Sequence, residues 1–261
     1  MEQQFSSVWT RERRTAKSPT LSRAQIVRTA MELLDAEGLD ALSMRRLGAR
    51  LGSGTTSIYW HVANKDELLE LVLDEVYGEF EIPDVRETTW RSAVSSFAYS
   101  IRQALLAHPW VITYIGTTPA IGPNAMRMMS RLVTTFDHAG FRDLDQDHAA
   151  STLLAYVLGV TAPELSWRAM TAKAGLDSNQ LNEALQPVVE KAAAGHPELA
   201  ARYAEYRCLD VDTARALNFE FGLTCFLDGL EARLNRAASP PMPQGRPAPG
   251  ADIEETGEVR R

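Results

Sequence analysis

Cysteine is nearly missing from this 261-residue sequence, which holds only Cys208 and Cys225. Two thiols in helix-like sequence make no disulfide framework, and both read as packing residues kept reduced. No apolar run approaches the roughly 20 residues that cross a bilayer. The polar start MEQQFSSVWTRERR lacks the hydrophobic stretch of a signal peptide, so a cytoplasmic location is expected, with no membrane partner. Strand-like alternation is almost absent and no internal repeat appears. The periodicity that remains is helical, so an all-α fold is expected. Signatures of chemistry are missing too: no glycine-rich phosphate loop, no cluster of metal ligands and no nucleophile motif. No cofactor, no metal site and no enzyme activity is therefore expected. Asp143, Asp145 and Asp147 beside His138 and His148 read as a polar loop.

What is present is an ordinary globular balance, 45% apolar and 23% charged, over a length that suits a small domain plus a larger one. The net charge of −7 hides an asymmetry. Residues 11–65 carry ten Lys/Arg against five acids, whereas the chain from Asp66 onward carries 17 basic and 28 acidic residues. A basic head on an acidic body lets one end approach phosphates while the other is repelled.

Four regions follow. Residues 1–20 read as a flexible basic arm, 21–80 as a small helical head, 84–236 as a helical body, and 237–261 as a disordered tail. The tail holds five prolines, three glycines and no aromatic residue, which cannot supply a core. Ser22 with Gln25 forms a capping box opening a helix to about Glu37, ended by Gly38. A short helix covers Met44 to Leu51. Ser53-Gly54 is a turn, Thr55 an N-cap, and a second short helix runs to His61. Asn64 with Glu67 makes another capping box, starting a helix to about Phe80. Breakers at His108-Pro109, Gly116, Gly140, Gly175 and Gly195-His196-Pro197 divide the body into helices near 89–107, 110–116, 122–139, 145–170, 178–194, 197–207 and 211–236.

Two short helices joined by a glycine-containing turn, between longer ones, make a helix-turn-helix. In MRRLGARLGSGTTSIYWHV, Leu47, Leu51, Ile58 and Val62 form the inner face. Thr55, Thr56, Ser57, Tyr59, Trp60 and His61 form the outer one. Aromatic rings beside hydroxyls on one outward face suit phosphates, sugars and thymine methyl groups. Arg11, Arg13 and Arg14 precede the first helix, either as an arm entering a minor groove or as a solvated tail.

The stretch LSRAQIVRTAMELLDAEGLDALSMRRLGARLGSGTTSIYWHVANKDELLELVLDEV resembles the DNA-binding domain of the TetR family, most specifically in SIYWHVANKDELL. The resemblance implies that Ser43, Arg45, Thr55, Thr56, Ser57, Tyr59, Trp60, His61 and Lys65 face DNA. Arg45 would then read guanine, and Lys65 with the Tyr59 hydroxyl would hold phosphate. It further implies a homodimer on a pseudo-palindromic double-stranded DNA operator, since one head reads only a few base pairs. The last helix, with Leu217, Phe221, Gly222, Cys225 and Gly229, resembles the family's dimerisation helix; the alternative is that it serves only the monomer core. A small-molecule effector is expected in the body, against an apolar set of Trp110, Tyr114, Met126, Met129, Phe136, Tyr156, Trp167 and Met170, which equally suits plain core. Tetracycline-sensing members use a histidine and a glutamate around magnesium. Here Tyr114 stands at the histidine position and Pro163 or Glu164 near the glutamate, so that chemistry is not expected. The function expected is a ligand-responsive repressor; the alternatives are an activator, a ligand-independent regulator, an enzyme or a small-molecule-sequestering protein.

Overall fold

The reciprocal cap foreseen at Ser22 and Gln25 forms: each side chain accepts the other residue's backbone N–H, at 3.2 and 2.9 Å. It opens α1 (Arg23–Glu37), which ends at Gly38 with φ 77°. The computed structural model describes residues 7–9, 21–206 and 209–238. Arg11, Arg13, Arg14, Cys208 and the 239–261 tail lie outside the described residues.

After a short 3₁₀ turn at Leu39–Ala41 come α2 (Met44–Arg50), α3 (Thr55–Tyr59) and α4 (Lys65–Gly78). The rest is α5 (Trp90–Ala107), a 3₁₀ turn at Pro109–Thr113, α6 (Pro123–Ala139), α7 (Leu144–Ala174), α8 (Ser178–Ala193), α9 (Pro197–Tyr206) and α10 (Val211–Ala238). The described residues contain no strand and no helix long and apolar enough to cross a membrane.

Two expected caps differ. The N-cap of α3 is Gly54, whose extended backbone needs no side chain, and Thr55 is the first helical residue. At α4 the Asn64 side chain accepts the Glu67 N–H at 2.8 Å, but Glu67 reaches one residue further back, to the N–H of Ala63 at 2.8 Å. The buried Glu67 thus ties α4 to the end of the preceding turn.

A single contiguous apolar cluster runs through the described residues. It passes from Ile26 and Leu34 of α1 through Leu68, Val72 and Val76 of α4, to Phe97 and Ile101 of α5, Leu153 and Val157 of α7, and Phe219, Leu223 and Leu227 of α10. α4 is buried on most sides because α1 packs on one flank and α6 on the other. Residues 7–9 correct the expectation of a free arm at that point: Val8 is buried, and Ser7 Oγ and the Val8 N–H both meet the Glu70 carboxylate of α4.

Candidate nucleic-acid interface and its joints to the body

α2 and α3 stand close because residue 48 is glycine. A Cβ there would lie 3.0 Å from the Ser53 carbonyl oxygen and 3.5 Å from the Thr55 nitrogen. Gly52, at φ 62°, makes the left-handed step of the turn. The fully buried Leu47, Ile58 and Val62 pin the pair inward. α3 has only five residues, too few to be stable alone, so this packing is what holds it.

The opposite face is open. Ser43, Arg45, Thr56 and Ser57 are exposed, Thr55 and His61 partly so, and Tyr59 and Trp60 keep 46% and 56% of their surface in solvent. Two indole and phenol rings this exposed on one short helix leave a broad apolar and hydroxyl surface facing outward.

The cations of the head divide by partner. Arg46 pairs with Glu37 at 2.5 Å, and Arg50 lies 4.0 Å from the same carboxylate. Lys65 turns its ammonium to the Leu39 carbonyl at 3.2 Å. Arg23 donates to the His61 carbonyl at 3.0 Å, fixing the end of the recognition segment to the start of α1. Arg45 has no ion pair or hydrogen bond among the described residues, so its guanidinium is available for recognition. Burial, and secondly the charge of Arg23, hold the His61 imidazole below its ordinary range.

Two polar joints tie these helices to the body, and neither was legible in the sequence. At the first, the buried Asp74 of α4 caps α6: its carboxylate accepts the N–H groups of Asn124 and Ala125 at 3.2 and 3.0 Å. Asn124 Nδ2 returns a bond to the Asp74 carbonyl at 3.0 Å. Residue 122 must be glycine, since a Cβ there would overlap the Asp74 carboxylate and lie 2.7 Å from the Trp9 ring. At the second, His108 spans two helices, with Nδ1 2.8 Å from Asp35 of α1 and Nε2 3.1 Å from Glu79 after α4. The Trp110 indole donates to the same Asp35 oxygen at 2.8 Å.

The expected effector residues are not gathered in one place. Trp110 belongs to the second joint, and Phe136 is sealed in the core with no exposed surface. Met126, Met129 and Met170 face solvent. Tyr114 is half-buried, and Tyr156 donates to the Phe219 carbonyl at 2.5 Å. Trp167 packs under Arg215. Glu164, the residue near the metal-ligand position, is buried between Arg102 at 2.7 Å and Arg168 at 3.0 Å, so its carboxylate is already satisfied. Of the expected dimer residues, Leu217, Phe221, Cys225 and Gly229 lie on the exposed side of α10. Gly222 does not: a Cβ there would meet the Tyr156 ring at 2.6 Å, so this glycine serves the α7–α10 contact within the protomer.

An all-helical chain with a short, outward-facing helix held over a glycine turn is a helix-turn-helix DNA-binding protein. Residues 26–72 match the family described as bacterial regulatory proteins, tetR family, and residues 82–234 match the tetracyclin repressor-like C-terminal domain. The chain belongs to this family of DNA-binding transcriptional regulators. It is 34% identical to the HTH-type transcriptional repressor DrrR1 of Streptomyces coeruleorubidus over 229 residues, which covers 86% of this chain and 83% of that one. Among solved structures it is similar to the Streptomyces coelicolor TetR family protein ActR in complex with actinorhodin, at 32% identity and TM-score 0.71, over 85% of this chain and all of the other. BioQ with its double-stranded DNA operator matches 67% of this chain and 99% of its own, at 31% identity and TM-score 0.50.

Proposed function

We propose that the chain is a cytoplasmic, non-enzymatic repressor that binds an inverted-repeat operator as a homodimer and leaves it when a ligand enters the body. Residues 21–80 are its DNA-binding domain and 84–236 its ligand-binding and dimerisation domain. The observation that carries this is the outward face of Ser43, Arg45, Thr55, Thr56, Ser57, Tyr59 and Trp60 above a fully buried Ile58. Lys65 and His61 flank that face and reach phosphate, and Arg11, Arg13 and Arg14 lie just upstream to enter a neighbouring minor groove. ActR bound to actinorhodin and BioQ bound to its operator support the two binding roles.

Dimerisation rests on the exposed side of α10, where Leu217 and Phe221 keep 56% and 72% of their surface in solvent, beside the small exposed residues Ala155 and Gly159 of α7. Apolar side chains facing small ones is the arrangement that lets helices approach closely across a two-fold axis. Ligand in the body shifts the Asp74 and His108 joints and so changes the separation of the two recognition helices.

Selection of bound DNA from a random pool is expected to return inverted repeats whose half-sites lie about 34–36 Å apart or a multiple of it. Phe221→Asp is expected to convert the dimer to a folded monomer in sedimentation and to weaken operator binding at least about 100-fold. A dimeric F221D protein, or direct repeats from the selection, would remove this seam.

His61 adds a pH dependence. Its folded-state pKa lies below the unfolded value, so the chain loses stability as pH falls through about 6.5, where only the unfolded state readily takes the proton. A phosphate beside the ring favours the charged form, so operator binding takes up a proton. Affinity measured by anisotropy should therefore rise as pH drops from about 7.5 to about 6, with a slope that flattens in His61→Gln. An equal slope in both proteins would exclude His61 from the phosphate contacts.

A further inference from the structure

The open cavity between α8, α9 and α10 takes no part in the DNA face or its joints. It measures about 450 Å³, within the range of about 300–1,000 Å³ typical of small-molecule pockets. Small side chains leave this room: Ala193, Ala200, Ala204 and Ala214 line it together with Val189 and Leu209. Its polar groups are the amides of Asn182, Gln186 and Asn218, the phenol of Tyr203 on α9 and the guanidinium of Arg215. Glu190, also in the lining, already has a partner within the protein.

Arg215 is placed for recognition. Its guanidinium lies over the Trp167 ring, 5.5 Å from the centroid, a cation–π contact that helps hold the side chain in place. Its counter-ion is the exposed Asp212, at 3.1 Å, a solvent-screened pair that an incoming acid can displace at little cost. An arginine in the lining, flanked by the side-chain amides of Asn182 and Asn218, matches a planar anionic group such as a carboxylate or sulfonate.

We infer that this cavity seats a flat aromatic acid, its rings against the alanine walls and its acidic group on Arg215. The inference deepens the reading of the chain as a ligand-responsive repressor and rests on it for the consequence of binding. α10 carries three strips: Phe219, Leu223 and Leu227 face the core, Val211, Ala214, Arg215 and Asn218 face the cavity, and Leu217, Phe221 and Cys225 face outward. Occupancy thus acts on the helix that also carries the dimer seam, without passing through the predicted aromatic set around Phe136.

The test uses the full chain and 1-anilinonaphthalene-8-sulfonate, an aromatic acid that fluoresces when it leaves water. Saturable binding at one site per protomer is expected. Ala214→Trp, which fills the cavity, should abolish that binding. Arg215→Gln, which removes the charge but keeps a polar side chain, should weaken it at least about tenfold, the range of a charge-assisted hydrogen bond. N-phenyl-1-naphthylamine, which lacks the sulfonate, should bind the parent and Arg215→Gln alike. Circular dichroism melting identifies variants that fail to fold, and Arg215→Gln carries the test where Ala214→Trp does not fold. Sulfonate binding unchanged in either folded variant overturns the site. Operator gel shifts on the same preparations report separately: failure to bind any operator removes the repressor reading and leaves the sulfonate result standing.

Discussion

Arg45→Ala is expected to weaken operator binding by about 30-fold to about 10⁴-fold while leaving the melting temperature of the free protein unchanged. Arg45 is exposed beside the N-terminus of α2 and bonds to nothing within the protein, so its removal orphans no group in the fold. A bidentate arginine–guanine contact is worth about 1–3 kcal/mol of discrimination, and a symmetric dimer makes it twice. The loss should concentrate at one symmetric pair of positions in the operator, with non-specific affinity much less affected. A uniform loss on all sequences, with a shallower salt slope, would make Arg45 a phosphate contact instead. Arg46→Ala is the contrasting case. Its guanidinium is engaged with Glu37, so a smaller operator effect is expected.

The second large effect belongs to the α4–α6 joint. Asp74→Ala removes the carboxylate that accepts two backbone N–H groups at the start of α6, and Gly122 offers no side chain to replace it. Hydrogen bonds to a charged group contribute about 1.5–3 kcal/mol each, so a loss of about 3–5 kcal/mol is expected. For a chain of this size that lowers the melting temperature by roughly 6–20 °C. Gly122→Ala should also be strongly destabilising, because its new methyl overlaps the same carboxylate. The two changes are expected to be less than additive, since truncating Asp74 clears the space the methyl needs. Strict additivity in calorimetry would show that Gly122 is constrained by the Trp9 ring alone.

The parts of this structure legible in the sequence are those encoded within a few residues. Ser22 and Gln25 announce α1 because capping is local chemistry, and the Leu47–Ile58–Val62 spacing announces the inner face of the helix-turn-helix for the same reason. Gly54 was missed as a cap because a residue that caps through backbone conformation alone leaves no side-chain signal. The joints were missed for a different reason: Asp35, His108 and Trp110 are brought together across more than 70 residues of chain. No periodicity connects them. In the body, apolar spacing marked a helix face without saying what the face meets, so Phe136 in the core and Met129 in solvent looked alike. The α8–α10 cavity was invisible to a search for large aromatic residues because room inside a helical body is made by alanines. Gly222 was misread for a related reason, since a small residue permits close approach by a neighbour from its own chain as readily as by a second copy.

The position of Asp74 also bears on how this chain could be recombined with a relative. The family match for the DNA-binding part ends at residue 72, two positions before the carboxylate that holds α6. A hybrid joined between Val72 and Asp74 would take operator preference from one parent and keep the other parent's grip on its own body. The donor head needs only an acidic residue at the place of Asp35 to complete the histidine bridge. A hybrid joined after Gly78 would bring the donor's residue 74 against Gly122, and any residue other than aspartate there would lose the cap on α6. The crossing point that preserves this cap lies inside a continuous helix, not at the loop where a boundary would ordinarily be drawn.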